Sequence, residues 1–323
     1  WTQDRQQRVV INGRSSSWAD VVSLVVQGSV IGPILFLIFI NDIDLVVGEG
    51  ETKLVKFADD TKFGCRIRTK EDSESLQACL DGIVRWSDHN GMSLHPQKTV
   101  VLHFGRNNPW HQYSINGGVV SSAECVKDLG ILVNEICSPS DHVDTVVKKA
   151  NGVLAQIRRT TVCRSVEMVT KLYKSYVRPF LESSVQAWRP WLKRDIDAIE
   201  KVQRRATRLV SGIASKSYEE RLAICNLTSL EDRRERGDMI QCFKIMNNLT
   251  CIDKNNFFSY AKDRHTVNTR GAAEEKLVPV KAVLELRKNF YTSRVVNKWN
   301  NLPIEIRCAP SVNSFKNQYD SFI

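Results

Sequence analysis

The stretch Lys53-Leu54-Val55-Lys56-Phe57-Ala58-Asp59-Asp60-Thr61-Lys62-Phe63 decides how this chain is read. Two adjacent carboxylates interrupt a run of β-branched, aromatic and aliphatic residues that otherwise reads as strand. The pattern predicts a hairpin over about 53–67 with the acids at its turn. Neighbouring carboxylates repel each other and resist burial unless a cation sits with them. A hard dication such as Mg²⁺ prefers carboxylate oxygens and neutralises the pair. Such a site serves in-line attack on a phosphate, where two metals about 4 Å apart stabilise the attacking and leaving oxygens. Most Asp-Asp dipeptides are plain solvated turns, so the pair needs a second signal before it means catalysis.

That signal lies upstream, in Gln27-Gly28-Ser29-Val30-Ile31-Gly32-Pro33-Ile34-Leu35-Phe36-Leu37-Ile38-Phe39-Ile40-Asn41-Asp42. Together the two segments resemble the polymerase of non-LTR retrotransposons, of the jockey and chicken-repeat type. The likeness runs from Gln7-Arg8-Val9-Val10-Ile11-Asn12-Gly13 to the tail, where Val295-Val296-Asn297-Lys298-Trp299-Asn300-Asn301-Leu302-Pro303 resembles the ends of the same elements.

The resemblance implies a set of roles. Phe57-Ala58-Asp59-Asp60 would be the palm hairpin beside the substrate, with Asp59 a Mg²⁺ ligand and Asp60 a less directly coordinating neighbour. Gln27 and Gly28 match the motif that lines the template and incoming nucleotide. A glycine there would let the backbone approach a substrate closely. Lys98, in His95-Pro96-Gln97-Lys98-Thr99, matches a lysine near the nucleotide's phosphates, a point charge or general acid as pyrophosphate leaves. Lys127-Asp128-Leu129-Gly130-Ile131 resembles the primer-grip hairpin. The helical part that follows resembles a thumb, with Lys148, Lys149, Lys201, Arg204, Arg205 and Arg208 as phosphate contacts. A-like duplexes containing RNA are held through shape, phosphates and 2′-hydroxyls, so no base-reading motif is expected. Tyr173, Tyr176, Trp188, Trp191 and Trp299 could stack on bases but read better as core. Asn41-Asp42 is a solvated cap or turn and not a further metal acid.

Composition fits this frame. A hydrophobic fraction of 42% with 25% charged residues is that of a globular chain, not a disordered one. Of the net charge of +10, nearly all falls between His142 and Gly212, where 15 Lys plus Arg face 6 Asp plus Glu. Such a surplus suits a phosphate backbone or, more blandly, a solvated helical face. Nine cysteines without a Cys-x-x-Cys spacing read as mostly buried thiols in a reducing compartment, with no zinc site. Val21 to Asn41 lacks charge, but Gln27-Gly28-Ser29 and Gly32-Pro33 break it into a strand, a turn and a short buried helix. No membrane segment and no secretory signal are expected, which leaves an intracellular place, nucleus or cytoplasm.

The expected fold class is α+β. A partial palm over 1–138, an antiparallel sheet with packed helices, precedes a basic helical thumb over 139–248 and a helical tail over 249–323 of unassigned role. Within it, helices are expected from Pro33 to about Asp42, at 70–89, from His142, at 165–177 ending at Arg178-Pro179, from Asp195 to Val210, at 217–225, 229–248 and 287–300.

The pattern also breaks. The family's third aspartate, its fingers and its endonuclease lie outside these residues, and the chain, opening on Trp1, reads as a fragment. Leu24 and Val26 stand where the family usually has glycine and proline. The expected partners are an RNA template, a DNA primer, a deoxynucleoside triphosphate and the missing N-terminal polymerase and endonuclease segments. The isolated chain is expected to be inactive. Two other readings stay open: a non-catalytic nucleic-acid-binding remnant, and a structural module.

Overall fold

A computed structural model describes residues 4–21, 28–48, 50–92, 94–105, 107–260 and 276–323. The chain divides into two compact units, Trp1–Glu124 and Cys125–Ile323. Helices mix with small sheets throughout.

In the first unit β1 (Arg5–Gln7) pairs antiparallel with β4 (Ala19–Val21), enclosing the hairpin β2 (Val10–Ile11) and β3 (Arg14–Ser15). Asn12 and Gly13 both take positive φ at the tip, as the Asn-Gly pair predicts. α1 (Gly32–Phe39) starts on Pro33 and runs into a 3₁₀ turn, Asn41–Val46. Then come β5 (Lys53–Phe57), β6 (Asp60–Gly64) and α2 (Lys70–His89), opened by a Thr69/Asp72 capping box. β7 (Val100–Leu102), β8 (Ser114–Ile115), β9 (Gly118–Val119) and β10 (Ser121–Ala123) complete the unit. β8 and β9 turn on Asn116-Gly117, whereas β7 and β10 pair in parallel. Among the described residues no sheet exceeds two strands, so the continuous antiparallel sheet expected for the palm does not form. The strands are two to five residues long, so each pair offers few ladder hydrogen bonds to a third strand.

α2 joins the small pieces. Leu80 and Val84 pack on Tyr113, Ile115 and Val120, while Ile83 meets Ile40 and Ile43. Gln77 clasps the edge of β8, donating to the Ser114 carbonyl and accepting from its amide, both at 2.9 Å. α1 departs from the short buried helix expected: Ile34, Leu37 and Ile38 are exposed, because only its Phe36 and Ile40 side reaches the core.

The second unit begins with the hairpin β11 (Cys125–Asp128) and β12 (Ile131–Asn134), turning on Leu129-Gly130 with both φ positive. α3 (Ser140–Thr160), α4 (Val166–Leu172), a π-helical turn Tyr173–Val177, α5 (Arg178–Glu182), α6 (Val185–Trp188), α7 (Lys193–Arg208), α8 (Tyr218–Ile224) and α9 (Leu230–Met246) follow. Their shared core holds Val143, Ala150, Tyr173, Trp188, Ile199 and Val202. The helix expected to stop at Arg178-Pro179 instead passes through to Glu182. In the π turn the Arg178 amide bonds the Tyr173 carbonyl, five residues back, so the ladder is already widened where Pro179, which has no N–H to donate, enters it.

The tail is a second helical core. It holds α10 (Lys254–Phe257), α11 (Glu285–Asn289), α12 (Tyr291–Asn301), α13 (Ile304–Arg307) and α14 (Val312–Phe322), of which α12, α13 and α14 share a core with α9 around Phe243, Trp299 and Phe315. The single helix expected over 287–300 is two, broken where Phe290 is extended. Asp238 on α9 holds this core to the bundle. Its buried carboxylate accepts from Arg189 at 2.6 Å and from Arg294 at 2.8 and 3.0 Å. Of the nine cysteines only Cys225 and Cys242 are buried, contrary to the expectation: Cys79 is half-buried midway along α2, and the rest lie in loops, on a strand or at a helix end. Among the described residues no helix is long and apolar enough to cross a membrane.

Candidate functional site

The acidic pair sits on the shortest turn a hairpin allows. Phe57 pairs with Asp60, so Ala58 and Asp59 alone form the loop. Ala58 takes φ +52° while Asp59 does not enter the left-handed region, which sets the strands' twist at a cost in alanine strain. Asp59 and Asp60 are both exposed, one at the tip and one at the first position of β6.

The opposite face of the hairpin fixes that tip. Leu54 and its partner Phe63 pack against Ile40, Ile43 and Ile83. Lys56 reaches the C-terminal end of α1, donating to the carbonyls of Ile40 at 3.2 Å and Asn41 at 3.0 Å, and pairs with Asp44 at 2.9 Å. An ammonium there meets the negative end of the helix dipole as well as a carboxylate. Sequence reading passed over Lys56, although a lysine amid apolar strand residues three positions before the acids was a usable signal. Asp42 accepts from the Trp86 indole at 3.1 Å, in keeping with a turn role.

The other sequence-derived residues lie apart from the turn along the chain. Gly28 is exposed in a turn at φ +78°, and a Cβ there would meet nothing within 4 Å among the described residues, so its need for glycine is dihedral. Gln27, and the variant positions Leu24 and Val26, lie outside the described residues. Lys98 is exposed in the turn that enters β7, its amide donating to the His95 carbonyl at 2.9 Å. Among the described residues no group of three or more His, Cys, Asp or Glu could hold a metal. Asp59 and Asp60 supply two hard oxygen donors, which suit Mg²⁺ but do not complete a two-metal cage.

In the second unit the six basic candidates share α3 and α7. Ser140 donates to Asp195 at 2.6 Å and Arg205 to Asn151 at 3.0 Å, so the two helices run in the same direction. Lys201, Arg204, Arg205 and Arg208 follow i, i+3, i+4, i+7 spacing on the exposed side, opposite buried Ile199, Val202 and Ala206. None of the four makes an ion pair among the described residues, whereas Lys193 on the same helix pairs with Asp197 at 3.0 Å. Lys148 and Lys149 are exposed on α3. Lys149 also edges a cleft of 380 Å³ between β11–β12, α3 and α5, with Lys127, Gly130, His142, Phe180 and Ser184. There the buried His142 accepts from the Leu132 amide at 3.2 Å, and burial, then the Lys149 charge, holds its imidazole below the usual range. Tyr173, Trp188 and Trp299 are buried core, while Tyr176 is exposed.

The reverse transcriptase (RNA-dependent DNA polymerase) family matches residues 4–133, which contain the acidic turn, Gly28 and Lys98. This chain is homologous to non-LTR retrotransposon reverse transcriptases. It is 25% identical over 224 residues to the RNA-directed DNA polymerase from mobile element jockey of Drosophila melanogaster, covering 65% of this chain and 24% of that protein. The jockey polymerase of Drosophila funebris is 28% identical over 229 residues, with the same coverage. A probable RNA-directed DNA polymerase from transposon X-element of Drosophila melanogaster is 25% identical over 220 residues. The chain therefore spans about a quarter of the length of these relatives. No solved structure matches it. The basic helices α3 and α7 lie beyond the span matched by the reverse transcriptase family.

Proposed function

We propose that this chain is the palm-hairpin and thumb part of an RNA-directed DNA polymerase. In the intact enzyme it would help add deoxynucleotides to a primer 3′-hydroxyl on an RNA template. The observation that carries this is the exposed Asp59-Asp60 pair on a two-residue turn, inside the span matched by the reverse transcriptase family. Asp59 and Asp60 would hold Mg²⁺, which when bound supplies charge neutralisation at the phosphate under attack. Phe57, Ala58, Gln27 and Gly28 would shape the nucleotide pocket, and Lys98 would offer a cation to the leaving phosphates. Lys148, Lys149, Lys201, Arg204, Arg205 and Arg208 would hold the duplex through its phosphates.

Two carboxylates are too few for two metals, so the chain alone does not extend a primer. The test is primer extension on an RNA template with Mg²⁺, by the chain alone and with a jockey-type N-terminal polymerase segment added. Extension only in the mixture, abolished by Asp59→Ala, supports the proposal. Extension by the chain alone above the Asp59→Ala level refutes its inactivity. One observation favours a second reading, a remnant that binds nucleic acid without turnover: the basic stripe is built without any residue of the acidic unit. That reading gains if duplex binding is unchanged by Asp59→Asn and no mixture extends a primer.

A further inference from the structure

Of the four cations in the exposed stripe of α7, Lys201, Arg204, Arg205 and Arg208, two are held in place and in different ways. Arg205 is bonded to Asn151. Arg204 instead lies over the ring of Tyr218, its guanidinium carbon 4.3 Å from the ring centroid. Stacking of this kind leaves the in-plane N–H donors of a guanidinium free, which is the geometry that grips a phosphate with two bonds.

Tyr218 is held more firmly than a surface aromatic needs to be. Its ring is buried and its hydroxyl donates to Glu200 while accepting from Gln203 Nε2 at 2.9 Å. Gln203 accepts in turn from the Tyr173 hydroxyl at 2.8 Å and donates to the Thr228 carbonyl at 3.0 Å. Glu200 also accepts from the Leu230 amide at 3.1 Å. The residue just before it, Ser217, closes a capping box with Glu220 that starts α8. The ring therefore cannot turn without opening a chain of buried hydrogen bonds, each costly to leave unmade.

We propose that Tyr218 is a positioning residue that holds Arg204 as a preset phosphate clamp for the backbone of an RNA-containing duplex. The proposal rests on the reading of the basic helices given above. The flanking Lys201, Arg205 and Arg208 make the ligand a polyanion and not an isolated carboxylate. Holding the guanidinium in place in the free protein reduces the side-chain entropy lost on binding.

The test uses the full chain and a fluorescein-labelled RNA–DNA hybrid duplex, with affinity measured across a KCl series. Arg204→Ala should lower the salt slope by about 0.8, the loss of one phosphate contact. Tyr218→Leu, which keeps the charge, should weaken binding about three- to fivefold, with Tyr218→Phe, which keeps the ring but loses the hydroxyl's buried hydrogen bonds, between it and the parent. Arg204→Lys keeps the charge without the stacking plane and should lose the same factor as Tyr218→Leu. The double variant should bind no worse than Arg204→Lys, because both changes remove one interaction. Multiplying losses in the double variant, or parental binding by a folded Tyr218→Leu protein, overturn the clamp. If Tyr218→Leu does not fold, Arg204→Lys decides alone, and a loss under about twofold overturns it. Parental binding and slope in Arg204→Ala overturn the duplex-binding reading beneath it.

Discussion

Replacing Asp238 with alanine should damage the helical unit far more than removing any surface acid. The side chain is 2% exposed and receives three hydrogen bonds from two guanidiniums, while its own carbonyl accepts from the Tyr291 hydroxyl at 3.0 Å. Arg189 and Arg294 are themselves only 17% and 14% exposed, so Asp238→Ala leaves two cations without their anion and short of water. Breaking a buried pair in this way costs about 3–5 kcal/mol. With a urea dependence of about 2 kcal/mol per molar, the unfolding midpoint of that unit should fall by about 2 M. Asp320 supplies the control. Its bidentate pair with Arg236, at 2.5 and 2.7 Å, has the same chemistry, but its side chain is 45% exposed. Asp320→Ala should cost under about 1 kcal/mol. The assay is urea unfolding followed by circular dichroism and tryptophan fluorescence. Equal midpoints for the two variants would refute the argument that burial, and not pairing geometry, sets the cost.

Three further outcomes follow from local physics. Ala58→Gly removes alanine strain of about 1–2 kcal/mol but adds unfolded-state entropy of about 0.4–1, so stability should rise by up to about 1.6 kcal/mol; a lower unfolding midpoint contradicts the strain. His142 is held below its ordinary pKa, so the unfolded chain takes up the extra proton. Its share of stability is full above about pH 6.5 and shrinks as pH falls below that. His142→Gln should flatten the stability slope between pH 8 and 5, and an unchanged slope removes His142 as its source. Arg234 is buried, among the described residues neither of its terminal nitrogens has a hydrogen-bond partner, and burial lowers its pKa. Arg234→Met should be neutral or stabilise by about 1–3 kcal/mol; a loss above about 1 kcal/mol in thermal unfolding would mean that an ordered water or anion serves it.

The acidic hairpin was legible because alternation, β-branching and two adjacent acids agree on one turn. Asn12-Gly13 and Asn116-Gly117, with both φ positive at their hairpin tips, follow from the same local chemistry. The basic stripe could be placed on α7 by helical spacing, but its parallel neighbour could not, since Ser140 and Asp195 meet only in the folded chain. Pro179 misled because a proline's effect depends on the hydrogen bond four residues back, which the π turn had already given up. In the tail, spacing could place the helices but not their mutual packing, since Phe243, stacked on Phe315 at 4.5 Å, meets a partner distant in sequence. Lys56 and Tyr218 were missed for a related reason: each matters through what it touches on another element.

That α3 and α7 point the same way has an electrical consequence. Two aligned helices add their dipoles where an antiparallel pair would cancel them, leaving a positive pole by Ser140 and Lys193 and a negative one by Thr160 and Arg208. Arg158, Arg159, Arg205 and Arg208 occupy the final turns, so part of their charge is already spoken for by their own carbonyls. A bound strand would feel a graded field instead of a uniform one, strongest toward the helix beginnings. Arginines at the far end would serve the scaffold and the ligand at once, and could not be reassigned to one without weakening the other.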